Sequence, residues 1–205
     1  MASRSPKAAS VAATHYDEAY FKRWYGTAQT RALTKTDKDI RAAFVVAYMK
    51  QLKIPLRSVC DLGCGLGHWQ QALRKLLPKM TYTGVEYSPY LCARYGWTES
   101  SAATYAPRRT FDLVICQSVL HHLNDRDCAA ALEHIASYCK GVLYLEVVSQ
   151  QDWNQVIDRA HTDPNIFLRS GAWYKTRLKK HFVPLGGGLF LAKSAGIPLL
   201  EIEQP

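Results

Sequence analysis

The chain has no run of about 18 consecutive apolar residues, so no membrane-spanning helix is expected. Its N-terminus lacks the apolar core of a secretory signal peptide. No acidic residue precedes Asp17, and the segment before it is Ala/Ser-rich with Arg4 and Lys7. Residues 1–14 are therefore expected to be a disordered tail; an organelle transit segment is the weaker reading of the same composition. No C-x-x-C pair occurs among Cys60, Cys64, Cys92, Cys116, Cys128 and Cys139. Zinc sites usually need such close pairs of soft ligands, so no metal is expected. Most of these thiols lie in apolar runs, where a cysteine acts as a small hydrophobe. Free cysteines in a reducing compartment, the cytoplasm, follow as the expectation. Internal repeats, low-complexity linkers and Lys/Arg blocks interleaved with aromatics are also missing.

What remains is the profile of one globular domain. The 205 residues are 48% hydrophobic and 21% charged, enough to bury a full core. The net charge is +9 and the pI about 9.3. The basic residues are spread along the chain, which reads as a solvated basic surface; a nucleic-acid partner is kept open but not favoured, and no membrane partner is expected.

Residues 15–26 form an aromatic amphipathic stretch, with Tyr16, Tyr20 and Trp24 on one helical face. Thr36 or Asp37 can cap a second helix running to Lys53, with Ile40, Phe44, Ala47, Tyr48 and Leu52 as its apolar stripe. From residue 55, apolar strands alternate with helices, the pattern of an α/β domain with a mostly parallel sheet. The expected strands are 57–62, 81–86, 96–99, 111–116 and 141–148. Helices are expected over 66–77, from Ser88, and from Asp125 or Asp127 to about Cys139. Residues 149–180 read as mostly helical, broken near Thr162–Asn165. Two closing strands, 181–185 and 187–193, flank the Gly186-Gly187-Gly188 turn, an antiparallel hairpin. The division is a helical lid over 15–54 and a Rossmann-like core over 55–195, together a single domain over 15–205.

The segment from Val59 to Gly67, V-C-D-L-G-C-G-L-G, follows a strand and opens a helix. Its glycines let the backbone turn sharply and approach a ligand closely. The helix beyond offers unpaired N–H groups and a positive dipole end. Dinucleotide folds carry G-x-G-x-x-G after an apolar strand end, whereas this loop is G-x-G-x-G behind Asp61. An acid there suits a cationic ligand better than a pyrophosphate, which disfavours NAD. Glu86 ends the next strand, about 20 residues on, where a carboxylate can accept both ribose hydroxyls.

D-L-G-C-G-L-G-H, T-G-V-E and F-D-L-V-I-C-Q-S-V-L-H-H-L together resemble the main motifs of class I S-adenosylmethionine (SAM)-dependent methyltransferases. The resemblance runs from about Arg57 to Lys193. It implies an α/β fold with a seven-stranded, mostly parallel sheet, order 3-2-1-4-5-7-6, an antiparallel terminal hairpin and helices on both faces. It implies SAM as cofactor. Asp61, Gly63, Cys64 and Gly65 would hold the methionine end, Glu86 the ribose, and Tyr87 would lie along the adenine. Gln117 would reach the methionine portion or the acceptor. Ser101 stands where the family often has an acid contacting the adenine amino group.

Methyl transfer from a sulfonium is an in-line displacement that depends on alignment and exclusion of water. A base is needed only where the acceptor must lose a proton, and His121 and His122, in the loop after the fourth strand, are the candidates. Tyr16, Tyr20, Trp24 and Trp173 are expected to line the substrate pocket. No [DNS]-P-P-[YF] element follows the fourth strand and no Pro-Cys pair exists, which argues against base amino-group and pyrimidine C5 methylation. The expected activity is O- or N-methylation of a small, anionic or aromatic molecule. The alternatives are a methyltransferase of RNA or protein and a non-catalytic methyltransferase-like binding protein. Oligomeric state is not read from the sequence.

Overall fold

A computed structural model of the chain describes residues 10–26 and 34–203. Of the expected N-terminal tail, residues 1–9 lie outside the described residues. Within 10–14, the Ser10 hydroxyl accepts from the Asn124 N–H at 2.9 Å and donates to Asp127 at 2.5 Å.

The core is a seven-stranded sheet in the order β3-β2-β1-β4-β5-β7-β6. Its strands are β1 (Ser58–Leu62), β2 (Thr81–Glu86), β3 (Thr98–Glu99), β4 (Phe111–Gln117), β5 (Cys139–Glu146), β6 (Phe182–Gly186) and β7 (Leu189–Ala192). β1 to β5 pair in parallel, and β7 runs antiparallel to both β5 and β6. The strand order and the terminal hairpin are as the sequence motifs imply. β4 is buried at all its positions, as a central parallel strand should be.

Helices α1 (Glu18–Tyr25), α2 (Lys35–Gln51), α3 (His68–Leu76), α4 (Pro89–Tyr95), α5 (Asp125–Tyr138), α6 (Gln150–Gln155) and α7 (Gly171–Leu178) surround the sheet. Side-chain alternation along the strands separates two cores. Cys60, Leu62, Val114, Cys116 and Leu143 pack with α5 and α7 on one face. Val59, Leu113, Ile115, Val142 and Tyr144 pack with α2 and α3 on the other. By the same alternation Asp61, Gln117 and Glu146, at the C-terminal ends of β1, β4 and β5, face the α2 side. All six cysteines are buried and unpaired, as expected. Among the described residues no helix is long and apolar enough to cross a membrane.

Several local expectations are corrected. Thr34, not Thr36 or Asp37, caps α2; Asp37 instead closes a capping box from the third helical position. The buried stripe of α2 is Ala42, Val45, Val46 and Met49; of the expected stripe, Tyr48 and Leu52 pack against that core half-buried, while Ile40 and Phe44 are 63% and 42% exposed. Both stripes have helical spacing, and contact with the sheet selects between them. Phe44 leans over Gly187 instead, where an added Cβ would lie 2.8 Å from its ring. β5 starts at Cys139, directly after α5, and ends at Glu146 rather than Val148. The Val148 N–H is taken by the His121 ring at 3.1 Å. Residues 149–180 hold less helix than expected: α6 and α7 are short, and 162–170 are non-helical. Pro164 supplies no N–H, and the buried Arg169 guanidinium donates to the carbonyls of Leu120, Leu123 and Phe167. Those bonds fix the turn from Leu120 to His122.

Candidate functional site

The order of the sheet reverses between β1 and β4, and in open α/β sheets the crevice at the carboxyl ends of such strands is where ligands bind. The loop after β1 and the turn after β4 flank that point. Gly63 has φ +66°, and a Cβ there would lie 2.3 Å from Val119 Cγ2, so this position admits only glycine. Gly65, at φ +54°, has nothing closer than 3.9 Å to an added Cβ: its open side is cavity. Ser118 adopts φ +59°, uncommon for a non-glycine residue, and so turns the chain sharply out of β4 over the loop.

A cavity of about 520 Å³ opens beside the loop, within the range of small-molecule sites. A second, of about 100 Å³, adjoins it around Gly65 and runs to Glu86, Tyr87 and Ser101. Glu86 is 7% exposed. Its carboxylate accepts N–H groups from Gly65 at 2.8 Å, Tyr87 at 2.8 Å and Ser88 at 3.0 Å. Three backbone donors thus fix an anion at the rim of the second cavity. Ser101 lies in its wall, with its hydroxyl accepting from Ala103 N–H at 3.2 Å. Cys64 lines the larger cavity, and its N–H is tied to Val85 O at 3.2 Å.

Asp61 is 1% exposed and accepts from the Tyr82 hydroxyl. Burial pushes its carboxyl above the usual range, against the pull of Tyr82 and Lys38. Gln117 Oε1 accepts from Trp69 Nε1 at 2.9 Å and from Lys38 Nζ, while its amide donates to Glu146 at 3.2 Å. Arg41 pairs with Glu146 and donates to Tyr144 at 3.1 Å. Burial pushes the Lys38 ammonium below its ordinary range. Lys38, Arg41, Trp69 and Glu146 were missed by the sequence reading. The parity of β5 and the i,i+3 spacing of Lys38 and Arg41 are the signals that could have found them.

Tyr16, Tyr20 and Trp24 border the cavities, Tyr16 the smaller, Trp24 the larger and Tyr20 both. The Ser88 hydroxyl donates to the Tyr16 carbonyl, which ties this segment to α4. Tyr16 packs edge-on against Tyr20 at 5.0 Å and His122 at 5.8 Å. Trp173 is a correction: it lines neither cavity. On α7 it is drawn under the guanidinium groups of Arg177 and Arg169, 3.6 and 4.9 Å from its ring centre.

The two histidines differ. His121 is 3% exposed, and its Nδ1 accepts from Val148 N–H, so the neutral ring carries its proton on Nε2. His122 Nδ1 lies 3.1 Å from the Asn165 carbonyl, which can only accept. Its Nδ1 therefore carries the proton and Nε2 has the free lone pair. Both residues border the larger cavity. Burial holds both rings below the ordinary 6.5, His121 further than His122.

A pH effect follows. An unfolded histidine binds a proton below about pH 6.5 that the folded ring refuses. Stability is therefore full above that pH and falls as pH drops, by roughly 1.4 kcal/mol per pH unit for each such ring. His121→Gln, which keeps an acceptor for the Val148 N–H, is expected to flatten this slope. Urea unfolding at about pH 7.5 and about pH 5.5 checks it; an unchanged slope removes His121 as the cause.

A family model described as a methyltransferase domain matches residues 16–181. Several solved structures share the fold. The magnesium protoporphyrin IX methyltransferase ChlM of Synechocystis PCC 6803 with bound SAH is 19% identical, with 82% of this chain and 86% of that chain covered and a TM-score of 0.58. The plantazolicin methyltransferase BpumL in complex with SAH is 14% identical over 82% of this chain and 71% of that chain, TM-score 0.59. DesVI of Streptomyces venezuelae is 15% identical over 76% of this chain and 91% of that chain, TM-score 0.56. No curated protein sequence matches the chain. The family match takes in α1 through α7, with the glycine loop, Glu86 and the turn after β4 inside it, and the sheet has the strand order its motifs imply; the chain belongs to the methyltransferase-domain family, in its class I form.

Proposed function

We propose that the protein moves a methyl group from SAM to an oxygen or nitrogen of a small molecule. The observation that carries this reading is the Glu86 carboxylate, fixed by three backbone N–H groups beside the open side of Gly65. A ribose diol has the donors such an anion needs, and a loop without side chains leaves room for it. Gly63, Cys64 and Gly65 support the methionine portion, with Asp61 as the counter-charge for its ammonium. Lys38 and Arg41, directed at the ends of β4 and β5, suit its carboxylate. Tyr87, Ser101 and the smaller cavity fit the adenine.

When bound, SAM supplies an activated methyl group whose leaving sulfur needs no protonation. The protein's part is to hold the acceptor in line and to exclude water. Residues 15–26 act as a cover over the cavities for that purpose, Tyr16, Tyr20 and Trp24 forming its inner wall. His122, with Nε2 free and neutral near physiological pH, takes the proton of an acceptor hydroxyl; His121 holds the turn in place. The solved structures named for magnesium protoporphyrin IX and plantazolicin support a small-molecule acceptor. The six unpaired buried thiols support a reducing compartment, the cytoplasm.

Calorimetric titration with SAM, S-adenosylhomocysteine and NAD tests the reading. Micromolar binding of the first two and none of NAD is the expected result. Failure of both adenosyl ligands to bind would sink it.

A further inference from the structure

The loop after α6 brings an acidic residue to the same cavity. Asp163 is 7% exposed and borders the larger cavity. Its Oδ1 accepts both the backbone N–H of Asn165, at 2.9 Å, and the Asn165 side-chain amide, at 3.0 Å. The carbonyl of the same Asn165 is the group that holds His122 Nδ1. Asp163 Oδ2 is buried and, among the described residues, makes no hydrogen bond of normal geometry; it faces the Tyr20 hydroxyl and, at 3.8 Å, His15 Nε2. A buried carboxylate oxygen with so little compensation is costly unless positive charge forms nearby.

We infer that Asp163 is a positioning residue for the methyl transfer: through Asn165 it fixes the His122 ring with Nε2 free, and its buried carboxylate stabilises the imidazolium formed when His122 takes the acceptor's proton. This rests on His122 being the base of the proposed reaction. The acceptor O–H bond breaks as its oxygen bonds to the methyl carbon, whose bond to the sulfonium sulfur would break with the electron pair left on the thioether of S-adenosylhomocysteine. The proton passes to Nε2, giving the imidazolium, and then to water. The Asn165 carbonyl accepts from Nδ1–H in both states, so the ring need not reorient, and the fixed charge is in place before the proton arrives.

The groups facing His122 are few. His15 and Tyr16 approach from the N-terminal segment, His121 from the same turn, and Asp163 and the Asn165 carbonyl from the loop after α6. Of these, Asp163 and the carbonyl favour the charged ring, and His15 opposes it. Removing the Asp163 charge should therefore make His122 harder to protonate.

Asp163→Asn keeps an oxygen for the Asn165 donors, removes the charge and puts an NH₂ group in the place of Oδ2. Histidine ring resonances followed by NMR against pH, in the full chain without ligand, give the His122 pKa; the signal is assigned as the one lost in His122→Asn. A downward shift of about one unit is expected. The turnover number should fall about ten-fold or more, with SAM affinity unchanged. An unchanged His122 pKa in a folded Asp163→Asn protein overturns the inference, whatever the activity. Should that variant not fold, Asp163→Ser retains a hydroxyl acceptor and is read the same way. A shifted pKa in a protein that transfers no methyl group would support the pairing while removing the proposed reaction, so the two readings fail separately.

Discussion

Glu86→Ala is expected to weaken binding of SAM and of S-adenosylhomocysteine alike, by roughly 10- to 150-fold, the range for losing hydrogen bonds to a charged group. The two ligands share the ribose, so an equal loss points to the ribose rather than to the methyl group. The substitution has a second effect. The N–H groups of Gly65, Tyr87 and Ser88 now converge on this carboxylate, and its removal leaves them to water. Glu86→Gln separates the two contributions. Its amide oxygen can still accept from Tyr87 and Ser88, but its NH₂ would then oppose the Gly65 N–H, donor against donor. The expected order of affinity is wild type, then Gln, then Ala, with Gln close to Ala. Calorimetry reads all three; a folded Glu86→Ala protein with wild-type affinity would remove the ribose assignment.

The second large effect is expected at His122. An Asn side chain can place its amide nitrogen near the position of Nδ1 and keep the bond to the Asn165 carbonyl, while Nε2 and its lone pair are gone. With a hydroxyl acceptor found by screening for S-adenosylhomocysteine release, His122→Asn should lose about 10²- to 10⁴-fold in kcat, the range for a general base. SAM affinity should stay as it is. In the wild type, burial lowers the ring below 6.5, so the acidic limb of kcat/KM should fall below that value rather than at it. The limb should vanish in the Asn variant. A His122→Asn protein that turns over within about three-fold of wild type would show that the acceptor needs no base here.

Much of this was legible along the chain, because the signals were local. The glycines of the loop, the capping serine Ser88 before Pro89 and the apolar run of β4 are each set by neighbours within a few residues. Signals that depend on which of two options packs better were misread. α2 carries two apolar stripes of helical spacing, and only contact with the sheet selects the one with Val45, Val46 and Met49. Trp173 has the composition of a pocket residue, yet Arg177 and Arg169 claim its ring. The two histidines look alike in L-H-H-L. Val148 N–H makes one an acceptor at Nδ1, and Asn165 O makes the other a donor there.

The sequence by itself determined the α/β class, the strand order implied by its motifs, the ligand loop and the free thiols. The class, the loop and the thiols follow from periodicity, turn chemistry and cysteine spacing, and the strand order from the resemblance of the motifs to class I methyltransferases; none needs knowledge of distant partners. The tertiary structure alone decided what surrounds the loop. Arg41 meets Glu146 across 105 positions of sequence, and Lys38 meets Gln117 across 79. Asp163 comes to the His122 turn because Pro164 and the buried Arg169 hold a non-helical loop there. The physical reason is the pleat. Alternation along β1, β4 and β5 aims Asp61, Gln117 and Glu146 to one face, and packing of α2 on that face supplies the cations.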